Sequence, residues 1–110
     1  MKNLFTLAMV ALFVALPTIA RAEQVAISAY GVQNGLVDIG VSYTDEGKFT
    51  HFSREIAPGD NNGLLLLLST KITNFHVSGG AMVGTRKCSG SWSSPKFEAR
   101  VKVYLQCSPR

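Results

Sequence analysis

The chain has 110 residues, 46% of them apolar and 16% charged, with 11 basic against 7 acidic side chains and a net charge of +4. That composition excludes an intrinsically disordered chain, which would be poor in apolar residues and rich in charge, and a length of this order holds one domain. Two cysteines and two histidines exclude a cysteine-rich scaffold and leave little from which to build a metal or redox centre.

Residues 1–22 read as a signal peptide. Lys2 supplies the positive start, Leu4 to Leu16 the apolar run, and Pro17 a break before Ala20-Arg21-Ala22, an A-x-A cleavage site. The apolar run is about 13 residues against the roughly 20 that a spanning helix needs, so no membrane span is expected. Cleavage after Ala22 leaves residues 23–110 as a single domain, exported by a Sec-type route to the periplasm or beyond the cell. Lys2 and Arg21 leave with the leader, which lowers the net charge to +2. So mild a surplus is no footprint for nucleic acid.

Val25 to Tyr30 alternates apolar with small or polar residues, the period of a half-buried strand. Asn34-Gly35 follows, a dipeptide favoured where two turn residues need positive φ. Val37 to Tyr43 alternates again, Asp45-Glu46-Gly47-Lys48 is a second turn, and Lys48 to Ile56 forms a third strand. These three strands are expected to pair as a meander. Pro58 and Gly59 then interrupt pairing, and Asp60, Asn61 or Asn62 is placed to cap a helix.

That helix is expected from Leu64 to about His76, because five consecutive leucines show no strand alternation and Ser78-Gly79-Gly80 makes a helix stop. On a helical wheel Leu64, Leu65, Leu68, Ile72 and Phe75 form the core stripe. Leu66 falls instead among Ser69, Thr70 and Thr73, and Leu67 beside Asn74. Loops can cover these two leucines, or Leu66, Leu67 and Thr70 can form an interface between subunits.

Ala81 to Lys87 returns as a strand, Ser89 to Pro95 reads as a loop, and Phe97 to Leu105 is a strand with Phe97, Ala99, Val101, Val103 and Leu105 on one face. Cys88 and Cys107 lie beside these last two strands. An even cysteine count in an oxidising compartment implies one disulfide, with free thiols or a two-cysteine metal site as the alternatives. The loop it would close, of about 20 residues, is worth on the order of 3 kcal/mol.

Little here suggests catalysis. His51 and His76 match no metal or protease motif, and neither a nucleophile elbow nor a glycine-rich phosphate loop occurs. The chain reads as a non-enzyme without cofactor or metal. Trp92, among serines that include Ser91 and with Lys96 close by, has the composition of a sugar site: an aromatic face beside small hydroxyl donors. It suits equally a ring that lids one end of the core. Arg86, Lys87, Arg100 and Lys102 form a basic set, for which solvent or an anionic sugar or lipid headgroup is the partner.

The order β-β-β-α-β-β is that of a small OB-like barrel, mainly β with one helix and one disulfide. The strands Val25–Ile56, the segment Gly59-Asp60-Asn61-Asn62-Gly63 with its leucines, and the Cys88…Cys107 close resemble, in layout, the small exported OB-type proteins typified by the B subunits of bacterial toxins that join one A subunit to five B subunits. The resemblance implies a non-catalytic, ring-forming, glycan-binding homo-oligomer with a possible A-type partner subunit. The expectation is therefore an exported carbohydrate-binding module. The alternative is a periplasmic inhibitor or immunity-type protein that blocks a target protein through the exposed Ser89–Pro95 loop, and a third option is an envelope protein with no discrete ligand.

Overall fold

The computed structural model describes residues 21–109, and the expected leader through Ala20 lies outside them. The described residues form eight strands: β1 (Ala22–Tyr30), β2 (Val37–Asp45), β3 (Lys48–Ile56), β4 (Leu64–Ser69), β5 (Thr73–Val83), β6 (Arg86–Lys96), β7 (Arg100–Tyr104) and β8 (Gln106–Cys107). They make two sheets, one of order β4-β1-β7 and one of order β3-β2-β5-β6-β8. One buried cluster joins the inner faces of both: Val25, Ile27 and Ala29 of β1, Leu68 of β4 and Val101 and Val103 of β7 meet Val37, Ile39 and Val41 of β2 and Phe75 and Val77 of β5. The protein is mainly β, as the alternating runs predict, but among the described residues the architecture is two packed sheets with edge strands β4, β7, β3 and β8, and not a closed barrel.

The meander is present only in part. β2 and β3 pair from Val37↔Ile56 to Asp45↔Lys48, closed by Glu46 and Gly47 at φ 52° and 78°, a two-residue turn that matches the right-handed twist of its strands. The Asn34-Gly35 turn does not close a hairpin. It carries the chain from one sheet to the other, because β1 pairs with β4 and, in parallel, with β7. Sequence alternation marks a strand but leaves its neighbour open.

The expected helix over 64–76 is replaced by β4, a turn at Thr70-Lys71 and the start of β5. β4 alternates: Leu64 and Leu66 are half-buried, Leu68 is buried, and Leu65 and Leu67 are 63% and 73% exposed. Leucine favours helix in isolation, but here β1 supplies an antiparallel ladder from Ile27↔Leu64 to Ala22↔Ser69, and three leucines reach the core. The period of two is invisible in the sequence because the outward positions are leucine as well.

Ser89–Pro95, expected as a loop, lies within β6. The hairpin from β5 turns at Gly84-Thr85, with Gly84 at φ 63°. Cys88 is buried and Gly90, Trp92 and Ser94 are half-buried, while Ser89, Ser91, Ser93 and Pro95 are exposed. Serine, glycine and proline hide this alternation from a hydrophobicity reading.

The last expected strand is real but divided. β7 lies beside β1, whereas β8 crosses to the other sheet and pairs with β6 at Cys88↔Cys107 and Ser89↔Gln106. The chain changes sheets at Leu105, whose N–H donates to the Tyr30 carbonyl at 2.7 Å. Two glycines let it through: a Cβ at Gly90 would stand 2.1 Å from the Tyr104 carbonyl oxygen, and one at Gly31 would stand 2.1 Å from that of Leu105. Gly79 serves the interior similarly, its missing side chain leaving room for Val103 and Leu105 of the facing strand, at 3.1 and 3.2 Å from the Cβ position.

The disulfide Cys88–Cys107 is formed, with a Cα–Cα distance of 3.8 Å. The two residues are direct cross-strand partners, and the Ser108 N–H donates to the Lys87 carbonyl at 2.8 Å beside them. The bridge pins β8, only two residues long, to the edge of the larger sheet.

Candidate functional site

The outer face of the smaller sheet is built by the parallel pairing of the first and last long strands. Because Val25, Ile27 and Ala29 point inward from β1, and Val101 and Val103 from β7, the residues between them point out. The register sets Ala26 beside Arg100, Ser28 beside Lys102 and Tyr30 beside Tyr104. These residues are some 70 positions apart in sequence and become neighbours through the β1–β7 ladder.

The two tyrosine rings stack, with centroids 5.2 Å apart and planes 24° from parallel. Lys102 Nζ lies 5.9 Å from the Tyr30 ring centroid, within reach of a cation–π attraction. The Tyr30 hydroxyl donates to Asp60 Oδ1. Asp60 belongs to the loop between β3 and β4, which is held against β1 by the Gly59 N–H donating to the Ala29 carbonyl at 2.9 Å and is closed internally by Asn62 Nδ2 donating to the Pro58 carbonyl at 3.0 Å. The residues expected to cap a helix therefore position a tyrosine.

The Asp60 carboxylate raises the Tyr30 phenol above its ordinary value, since ionising the hydroxyl would remove the donor and place a second negative charge beside the first. Partial desolvation adds to this, and Ser28 opposes it. Tyr30 is thus fixed in its neutral form with one ring face on Tyr104. Tyr104 is 62% exposed, so its other ring face is open to solvent. The result is a small aromatic platform with hydroxyl, carboxylate and ammonium groups around it.

The residues expected to bind are placed differently. Trp92 packs on Phe75 edge to face, with centroids 5.2 Å apart and planes at 82°, and it flanks the core rather than standing free. Ser91 precedes it on β6 and points to the opposite face, opposite Ser78. Lys96 is exposed at the end of the strand, opposite Thr73. Trp92 and Ser91 cannot grip one ligand from the same face. Of the expected interface residues, Leu67 points outward from β4, Leu66 is half-buried against the core, and Thr70 sits half-buried in the following turn. The basic set is also divided: Arg86 and Lys87 lie on β6 in the larger sheet, where Arg86 Nε donates to the Ser108 carbonyl at 3.0 Å, while Arg100 and Lys102 belong to the smaller one.

His51 and His76, unrelated in the sequence, share one outward row of the larger sheet, on either side of Ser42 and continuing to Ser93. Among the described residues no group of three or more His, Cys, Asp or Glu side chains is placed to hold a metal ion. Two open grooves lie on the larger sheet, one of them along that row. One, of about 380 Å³, runs past Asn74, His76, Ser93 and Pro95, and the other, of about 480 Å³, lies beside the disulfide at Lys87, Ser89, Gln106 and Cys107. Neither offers an exposed aromatic face.

In the sequence Tyr30 and Tyr104 stand as ordinary strand residues. The available signal was the outward position of Tyr104 next to Lys102 and Arg100; its pairing with Tyr30 depends on the parallel contact. No family model, no curated protein and no solved structure matches the chain.

Proposed function

We propose that the protein is an exported, non-catalytic binding module whose ligand is a carbohydrate, held on the outer face of the β4-β1-β7 sheet. The stacked pair Tyr30–Tyr104, with one ring face of Tyr104 open, carries this reading. Sugars present an axial C–H face that packs on an aromatic ring and hydroxyls that need nearby donors and acceptors. The Tyr104 ring supplies the first kind of contact, and its hydroxyl with Lys102 the second. The disulfide fits an oxidising compartment, and no helix among the described residues is long and apolar enough to cross a membrane.

A glycan array probed with wild type, Tyr104→Ala and Trp92→Ala tests the reading. Tyr104→Ala should lose binding and remain folded, giving up no more than the roughly 0.5–1.5 kcal/mol of the ring stack, because its side chain is mostly outside the core. Trp92→Ala should keep the binding profile and melt earlier. Wild type that binds no glycan, or Tyr104→Ala that binds as wild type does, refutes the proposal.

Self-association is a second feature of the reading, supported by Leu65 and Leu67 on the free edge strand β4, which carries no charge to discourage pairing. Light scattering checks it, and a strict monomer that ignores Leu67→Lys would remove it. An inhibitor acting through Ser89–Pro95 would present a strand, not a loop, to its target.

A further inference from the structure

We infer that the carbohydrate bound on this face is anionic, a pyranose bearing a carboxylate or sulfate, with the ring on Tyr104 and the acidic group at Lys102 and Arg100. The inference rests on the glycan reading above and adds the charge of the ligand to it. It follows from what the outward positions of the sheet contain. β1 offers Gln24, Ala26, Ser28 and Tyr30, and β4 offers Leu65 and Leu67. β7 offers Arg100, Lys102 and Tyr104. Two cations thus stand on the face and no strand residue there is acidic.

Of the carboxylates close by, Asp60 comes from a loop and is engaged by the Tyr30 hydroxyl, which leaves it to orient that ring, and Glu98 lies outside the sheet, two residues before Arg100. Arg100 and Lys102 are two residues apart on one face of β7, about 7 Å along the strand, and Tyr104 follows at the same spacing. Cation, cation and aromatic face therefore form a straight row along β7, the last strand of the smaller sheet. Ser28 lies beside Lys102 on the same face.

A neutral sugar would use the aromatic face and leave both cations unanswered. An anionic one uses the whole row, and guanidinium and ammonium groups make their strongest hydrogen bonds to such oxygens. A site on an exposed face also has a recognisable salt response, because charges there are screened over about 8 Å at physiological ionic strength.

The test compares matched ligands by calorimetry: trigalacturonate against trigalactose, and a sulfated against an unsulfated galactan oligosaccharide, with wild type, R100Q/K102Q and Tyr104→Ala. The anionic member of at least one pair should bind about tenfold more tightly or better, and that preference should fall as salt is raised. R100Q/K102Q should bring the anionic ligand down to the neutral level, and Tyr104→Ala should weaken both. Equal binding of neutral and anionic members, or an unaltered preference in R100Q/K102Q, overturns the inference. If Tyr104→Ala still abolishes binding in that case, the glycan reading stands without it. Binding to neither pair, with binding to phosphatidylglycerol vesicles lost in R100Q/K102Q, overturns both in favour of a membrane surface.

Discussion

Gly90→Ala should be among the most damaging single substitutions in this chain, although it adds one methyl group. The Cβ would meet the Tyr104 carbonyl oxygen at 2.1 Å, its carbon at 2.9 Å and the Leu105 Cα at 3.3 Å, whereas real Cβ contacts shorter than 3.0 Å essentially do not occur. All three atoms are backbone, so no side chain can swing aside. About 1 Å of main-chain movement is needed at a packed crossing, where the interior transmits strain instead of absorbing it. The movement is opposed on the far side by Gly31, which is also in contact with Leu105, and by the Leu105–Tyr30 hydrogen bond. Overpacking of this kind costs about 1–3 kcal/mol, with rigid sites at the upper end. For a domain this small, about 3 kcal/mol corresponds to a fall in Tm of about 12–24 °C. Gly80→Ala is the control: its Cβ would have only the Cys88 carbonyl oxygen nearby, at 4.0 Å, and it should be neutral or gain a few tenths of a kcal/mol, as about 0.4–1 kcal/mol is usual where the backbone accepts alanine. Urea unfolding of both variants decides the matter. If Gly90→Ala lies within about 0.5 kcal/mol of Gly80→Ala, the chain does not cross β6 at that point and the described change of sheet is wrong.

Leucine substitutions distinguish the strand from a helix over the same residues. Leu66→Ala and Leu68→Ala should cost about 2–4 kcal/mol, while Leu65→Ala and Leu67→Ala stay within about 0.5 kcal/mol of wild type; a helical stripe would instead make Leu65 costly and Leu66 cheap. Reduction of Cys88–Cys107, or Cys107→Ser, should cost about 2–5 kcal/mol, read as a lower Tm in reductant, and an unchanged melt would mean that β8 needs no staple. Tyr30 has a raised pKa in the folded chain, so the neutral phenol is the form that folding favours. That stability is fully present below the unfolded value near pH 10 and is lost as pH rises through the higher native value. Asp60→Asn should bring the Tyr30 titration, followed by ultraviolet absorbance, back toward lower pH; no movement would mean that Asp60 does not hold the hydroxyl.

How much was legible before the fold depended on the kind of pattern. Val37 to Tyr43 and Val101 to Leu105 show their inward positions because small or polar residues separate them. The Asp45–Lys48 turn was readable because two adjacent residues must reach positive φ, which few sequences offer. The leucine run and the serine-rich run failed for opposite reasons. In one both faces are apolar, and in the other both are mostly small and polar, so neither displays the alternation that its backbone follows. The expected grouping of Ser91 with Trp92 is divided by geometry: adjacent strand residues face opposite ways, so within β6 the two lie on different sides. The Tyr30–Tyr104 pair was out of reach, since a parallel ladder between the first and last long strands leaves no mark at either end.

The pattern of residues along the chain is enough to set the class and the staple. Alternating apolar positions demand sheet, and two cysteines have only each other to pair with. Which strands become neighbours was decided only by the tertiary structure, because side-chain alternation specifies the face that is buried and says nothing about the backbone that fills the hydrogen bonds on either side. Those bonds are the same for every partner. The choice falls to packing between the sheets, and to the glycines that let the last strand cross, and with that choice two distant tyrosines and two cations become one surface.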